Sequence, residues 1–251
     1  METFSIQNLI NDTIKEKQEH KEKTSWWPTD CGKCLSGVYY SRLGAKPDSE
    51  FDDRTLRVFS VGRVFEEWVT NLISNKPEVS VLSQVRVTLP DHDLTGYIDV
   101  VVQVDDRQVP YEFKTVHSRK FWHMTQRGQA DDQHRMQLWW YLKFLNVPEG
   151  RLVYISKDDL AIQEYPVFLN DENLSKQAIA DIAKLMVAWK TKKAPEPASL
   201  FVKSFDKKKN KDVYKLNWQA DYCRYHSHCL GDPNWRENTE KELKTLNKKI
   251  S

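Results

Sequence analysis

Hydrophobic positions near the start of the chain fall at helical spacing. Phe4, Ile6, Leu9, Ile10 and Ile14 predict an amphipathic helix over about residues 3–23. A loop with Trp26-Trp27-Pro28 leads to Cys31-Gly32-Lys33-Cys34, and a short helix runs from there to about Gly44. Leu56, Val58, Phe59, Val61, Phe65, Val69, Leu72 and Ile73 mark a second helix ending before Pro77. Val79 to Leu89 reads as a strand. After it, Thr95–Val102 and Val109–Thr115 are β-branched and aromatic runs flanking an Asp105-Asp106 turn, which is a hairpin signal. A helix over about 129–145 precedes Pro148. Two strands follow, 152–156 and 161–168, around Asp158-Asp159, and a long helix over about 174–192 ends before Pro195 and Pro197. The tail holds Cys223, Cys229 and a charged helix from about Asn234. With no repeats and no low-complexity linker, the pattern predicts one α/β domain with metal-binding additions.

The hairpin carries the chemistry. With a two-residue loop, Val104 faces Arg107 and the same register sets Asp99 across from Glu112. Like charges at such positions repel. Lys114, two residues beyond Glu112, shares its face because the strand period is two. A four-residue loop would shift the register by two and leave all three groups on that face. Two carboxylates beside a lysine in an apolar hairpin call for a cation, as in a divalent-metal hydrolase. Glu66 lies on the stripe of the second helix shared with Gly62, Val69 and Ile73, towards the core side, where an unpaired carboxylate is costly; Glu67 falls outward. By itself Glu66 reads equally well as a salt-bridged or helix-flanking residue. Gln137 and Tyr141 are one turn apart on the helix after the hairpin, with His134 a turn earlier; alone, that pair reads as packing.

In chain order these are Gly-x-x-x-Glu on a helix, Gly-x-x-Asp on a strand, Glu-x-Lys on its partner, and Gln-x-x-x-Tyr on the next helix. The ordered set, over about 58–145, resembles the RecB-like branch of the PD-(D/E)xK nucleases. Many members of that branch carry His where this chain has Glu66; glutamate is an equally suitable hard ligand for Mg²⁺ or Mn²⁺. The resemblance implies a nuclease core, a central mixed β-sheet flanked by helices, over about 55–193. It implies that Glu66, Asp99, Glu112 and the Phe113 backbone carbonyl hold one or two divalent ions. Lys114 would orient the attacking water, and Gln137 and Tyr141 would position the DNA backbone or the lysine.

Cys31 and Cys34 form C-x-x-C, and Cys223 and Cys229 form C-x₅-C. In a chain read as cytosolic, paired spacing favours a metal over disulfides, with four buried thiols as the plainer alternative. The arrangement is similar to that of the iron–sulfur RecB-like exonucleases, including the CRISPR-adaptation family usually called Cas-four. That family implies one cysteine ahead of the nuclease core and three behind it around an Fe–S cluster. Cys31, Cys223 and Cys229 fit; Ala220 stands where the first C-terminal cysteine would be, and Cys34 would replace it. The implied Cys region, 24–44 with 216–235, joins the two ends of a single RecB-like domain, 1–251. A four-cysteine set suits [4Fe–4S], the preferred expectation, as well as [2Fe–2S] or Zn²⁺. His226 and His228 are alternative zinc ligands, although loop histidines are more often merely exposed.

Charge adds little at the level of the whole chain: 251 residues carry a net charge of +2. The run Lys203–Lys215 holds six lysines against Asp206 and Asp212, and reads first as a solvated loop and second as a phosphate-contacting segment. The polar start has no apolar signal-peptide core, and no apolar run reaches the about 20 residues that span a bilayer, so a cytoplasmic protein is expected. Trp139 and Trp140 read as core; Trp122, with Arg119 and Lys120, reads as the DNA neighbour. The leading expectation is a Mg²⁺- or Mn²⁺-dependent DNA exonuclease, endonuclease activity also allowed, acting on ends or single strands. By resemblance the setting is CRISPR spacer acquisition, or phage or bacterial recombination and repair, with an integrase or helicase partner. The alternative is a metal-stabilised subunit that binds DNA ends or a partner without cutting. A restriction-type endonuclease would need a sequence-reading addition for which no spare domain is evident.

Overall fold

The structure, a computed structural model, describes residues 5–17, 23–208 and 210–249. The chain divides into two units, Met1–Cys31 with Phe51–Ala180, and Gly32–Glu50 with Asp181–Ser251.

In the first unit, α1 (Ile6–Glu16) is capped by Ser5 and α3 (Asp53–Ser74) by Asp52, whose carboxylate accepts from the Thr55 amide at 2.7 Å. The stretches of the expected N-terminal helix before Ser5 and after Lys17 lie outside the described residues. Asn11 donates to Asp53 at 2.8 Å and Lys15 pairs with the same carboxylate, tying α1 to α3. Between them in sequence, α2 (Leu35–Arg42) belongs to the second unit.

Five strands follow: β1 (Ser80–Leu89), β2 (Leu94–Val104), β3 (Arg107–Val116), β4 (Glu149–Ser156) and β5 (Ile162–Phe168). They form one sheet in the order β1-β2-β3-β4-β5, with β3 and β4 parallel and the other neighbours antiparallel. This is a central mixed sheet with helices packed on it. Parallel neighbours need a crossover, supplied here by α4 (Ser118–Arg127) and α5 (Asp132–Leu145). All residues of α5 from Met136 to Leu142 are buried, against the sheet and the 3₁₀ turn at Pro28–Asp30. Leu152, Val153, Tyr154 and Ile155 of β4 are buried in succession, as expected for a strand covered on both faces. Trp139 and Trp140 are core residues, as their sequence setting predicts.

The unit boundary falls within α6 (Glu172–Thr191). The second unit contains α2, the hairpin β6 (Phe201–Asp206) and β7 (Lys211–Leu216), and α7 (Trp218–Asp221), α8 (His226–Leu230) and α9 (Trp235–Lys249). Asn247 of α9 accepts from the Tyr214 amide at 2.7 Å and donates to its carbonyl at 3.0 Å, clipping α9 to β7.

Two segments differ from expectation. The lysine run is a β-hairpin rather than a solvated loop. Phe201 pairs with Leu216, Lys203 with Tyr214 and Ser204 with Val213, and the cross-strand ion pair Lys203–Asp212 at 2.6 Å places charge on its surface; Lys209 lies outside the described residues. The segment from Ser118 is a helix anchored by Phe121 and Met124, three apart and both buried. Among the described residues no helix is long and apolar enough to cross a membrane.

Candidate active site

The β2–β3 register is the one the two-residue turn predicts, from Val104↔Arg107 to Val100↔Tyr111. At the next step, Asp99 and Glu112, side chains take over from the ladder: the Phe113 amide donates to Asp99 Oδ2 at 2.9 Å. The expected carbonyl ligand, Phe113, pairs on its other side with Val153 of β4. Glu112 is 2% exposed. Lys114 Nζ and Gln137 Nε2 both donate to its Oε1 at 2.6 Å, and Gln137 also donates to the Tyr141 hydroxyl at 3.3 Å. Glu112 Oε2 is buried with no hydrogen-bond partner. The structure therefore brings Asp99, Glu112, Lys114, Gln137 and Tyr141 together.

Glu66 on α3 completes the group from the side of β1, its carboxylate accepting from the Gln84 amide. It is half-buried, while Glu67 is exposed. Burial and then Glu112 raise the Glu66 carboxyl above its usual range, against the Gln84 bond and Lys114. Burial and then Glu112 push Asp99 well above the carboxylate range, with Lys114 opposing. Burial works against the Lys114 ammonium, but Glu112 and Asp99 outweigh it and its pKa rises. Burial and Glu112 likewise hold the Tyr141 phenol well above its ordinary value. Three carboxylates face one ammonium, so the local charge is negative and a cation would relieve it.

The donors fit a hard divalent ion: carboxylate oxygens, one of them buried and unpartnered. In the present arrangement, no group of three or more His, Cys, Asp or Glu side chains among the described residues is set to hold a metal ion. Lys114 holds Oε1 of Glu112 and leaves Oε2 open to an ion.

One residue of the site, Gln84, was not singled out by the sequence, and the reason for Gly96 in its motif was not visible there. Gln84 stands where the β1–β2 pairing is interrupted opposite Asp99, with φ 51° in the left-handed region, an unusual backbone for a residue with a side chain. Gly96, the glycine of Gly-x-x-Asp, allows a close approach: a Cβ there would lie 2.9 Å from Pro28 Cδ and 3.3 Å from Tyr141 Cε1. Neither signal is visible without the tertiary neighbours.

Of the expected DNA neighbours on α4, Trp122 is 49% exposed and Arg119 is exposed. Lys120 is engaged, its Nζ 2.6 Å from Asp131 at the start of α5.

The cysteines divide between the units. In the first, Cys31 is fully buried; it accepts from the Trp140 indole at 3.3 Å, and its thiol points to the Ala178 carbonyl at 3.7 Å. In the second, Cys34, Cys223 and Cys229 hydrogen-bond to one another. The bonds from Cys223 and Cys229 lower the Cys34 thiol far below its usual range; Cys229 and Cys34 raise Cys223, and Cys229, lowered by Cys223 but raised by Cys34 and burial, ends above its usual value. The Ala198 amide donates to Cys34 Sγ at 3.4 Å, and Ser36 Oγ lies 3.1 Å from Cys229 Sγ. Gly37 makes the grouping sterically possible, since a Cβ there would sit 2.6 Å from Cys223 Sγ. His226 lines the same cavity, whereas His228 bonds the Lys46 carbonyl at 2.9 Å and stacks on Tyr40.

No protein-family model matches the chain. A CRISPR-associated exonuclease Cas4 from Saccharolobus solfataricus is 22% identical over 232 residues, covering 88% of this chain and 95% of that protein. The crystal structure of SSO0001 superposes with a TM-score of 0.54 at 18% identity, over 90% of this chain and 96% of that one. An alkaline exonuclease, LHK-Exo from Laribacter hongkongensis, reaches only 0.46 at 14% identity, over 62% of this chain and 80% of that one. In sequence the chain is thus a distant relative of a Cas4 exonuclease and in fold it is similar to SSO0001, in keeping with the RecB-like, PD-(D/E)xK resemblance of its motifs.

Proposed function

We propose that the chain is a divalent-metal-dependent deoxyribonuclease that hydrolyses phosphodiester bonds at DNA ends or in single strands. The observation that carries this reading is Glu112: buried, bonded through one oxygen to Lys114 and Gln137, and left with the other oxygen unpartnered beside Asp99. A buried carboxylate oxygen without a donor is costly, and the natural partner in a group with three acids and one base is a cation. Glu66, Asp99, Glu112 and the Phe113 carbonyl would hold Mg²⁺ or Mn²⁺. When bound, such an ion lowers the pKa of water and neutralises phosphate charge.

The chain's own residues account for the rest. Lys114, kept protonated by Glu112 and Asp99, carries the positive charge that faces developing negative charge on the scissile phosphate. Gln137 fixes the Glu112 carboxylate, and Tyr141, its phenol held neutral, anchors Gln137. Arg119 and Trp122 are exposed on α4, where they would meet a phosphate and a base; Lys120 would have to exchange Asp131 for a phosphate. The cysteines are read as a separate structural metal centre. A relative named for CRISPR supports spacer acquisition as the setting, with an integrase or helicase as partner; phage or bacterial recombination and repair is the other setting.

The test is incubation of end-labelled single- and double-stranded DNA with and without Mn²⁺. Metal-dependent cleavage is expected, with Asp99→Ala and Lys114→Ala each slower by at least about 100-fold. Full activity in either variant would sink the site assignment. Tight binding of DNA ends with no cleavage in any metal would favour the non-cutting subunit.

A further inference from the structure

We propose that the second unit binds a single Zn²⁺ through Cys34, Cys223, Cys229 and His226, and that Cys31 is a structural thiol of the first unit. The inference concerns this chain's own ligands and stands whether or not the chain cuts DNA.

The strongest sign is His226. The residue is 3% exposed, and neither of its ring nitrogens makes a well-aligned hydrogen bond, the nearest acceptors being the backbone of Cys223 and Ala220. A buried imidazole so poorly partnered is costly, because each nitrogen has lost water without full replacement. Its ring is held flat on Trp235, with centroids 3.7 Å apart at 17°, so its orientation is fixed by packing. It lines the same cavity as the three sulfurs of Cys34, Cys223 and Cys229.

Those sulfurs already behave as a unit. They line one cavity, and the Ala198 amide donates to Cys34 as amides often do to a metal-bound thiolate. Gly37 leaves room for Cys223 at a distance no side chain would tolerate. Binding Zn²⁺ displaces the thiol protons that remain: three S–Zn bonds and one N–Zn bond form, each sulfur binds as a thiolate, and the displaced protons leave to solvent.

The choice of one zinc over a cluster follows from the donors. Three thiolates and one imidazole make a closed Cys₃His set, the standard tetrahedral structural zinc site. An Fe–S cluster is ordinarily held by four thiolates. Cys31 has its own partners in Trp140 Nε1 and the Ala178 carbonyl, and behaves as a small buried hydrophobe with a satisfied sulfur. The sulfurs and imidazole are not yet set at ligand geometry, so binding requires the thiol-to-thiol hydrogen bonds to part.

The test uses the full-length protein purified anaerobically from cells supplied with both iron and zinc. Elemental analysis should find about one zinc per chain and negligible iron, in a colourless protein. Exchange into Co²⁺ should give intense visible bands typical of a tetrahedral thiolate-rich site. His226→Ala should lose most of the metal and Cys31→Ala should retain it. His226→Cys guards against misfolding: it should keep the metal and shift the Co²⁺ bands to longer wavelength, as a fourth thiolate requires. A brown protein with iron and sulfide, a protein with no metal, or a Cys31→Ala variant that loses metal while His226→Ala keeps it would each overturn the proposal.

Discussion

Gly62 and Gly96 occupy matching places in two motifs, four and three residues ahead of an acid, but their surroundings differ. At Gly96 a methyl group would press on Pro28 and Tyr141; at Gly62 it would meet only Thr115 Oγ1 at 3.7 Å, an ordinary contact. Gly96→Ala should therefore cost about 1–3 kcal/mol, because the Pro28 ring and a fully packed Tyr141 cannot both yield. Gly62→Ala, inside α3, should be neutral or stabilising by up to about 1 kcal/mol from helix propensity. Urea unfolding of the two variants decides the matter, and equal destabilisation would show that Gly62 serves more than spacing. Asp99, Glu112 and Lys114 were legible as a constellation because strand period and turn length fix their face. Gln84 was not, because its left-handed backbone and its bond to Glu66 depend on a neighbour 18 residues away.

At the scale of elements, Asp131 links α4 to α5. Burial would raise its carboxyl, but Lys120 at 2.6 Å, His134 and Arg127 at 3.2 Å hold it below the usual range. A folded-state pKa below the unfolded value contributes stability that is fully present above the unfolded pKa and fades as pH falls through the folded one. Asp131→Asn should then cost about 0.5–1.5 kcal/mol at neutral pH, discounted for the half-exposed Lys120, and the deficit should shrink below about pH 4. Chemical denaturation at pH 7 and pH 3 measures it; a deficit unchanged by pH would mean the carboxyl's charge is irrelevant. The helices of long, regular periodicity, such as α3, α6 and α9, were readable. The β6–β7 hairpin was not: six lysines in the run obscured its short aromatic and β-branched stretches. In α4 only two buried residues carry the periodicity, too few to stand out against its charge.

At the scale of the whole molecule, the proposed zinc and the proposed Mg²⁺ or Mn²⁺ would serve different units, and their removal should be separable. A thiophilic chelator should speed amide hydrogen exchange in Gly32–Glu50 and Asp181–Ser251 while leaving the β1–β5 strands protected. Withdrawal of Mg²⁺ or Mn²⁺ alone should abolish cleavage with no such change in exchange. Loss of protection in the sheet on thiophilic chelation would contradict this separation.

The sequence by itself determined the α/β alternation, the hairpin register that sets Asp99 against Glu112, and the order of the motifs that resemble the RecB-like nucleases. These depend on periodicity and turn length, which are local properties of the chain. Only the tertiary structure decided that Cys34, Cys223 and Cys229 meet with a buried His226 beside them, and that Cys31 bonds to Trp140 instead. Spacing can pair cysteines that are near in sequence. Which sulfur meets which depends on burial and on residues nearly two hundred positions apart, set by how helices and loops pack rather than by any local pattern.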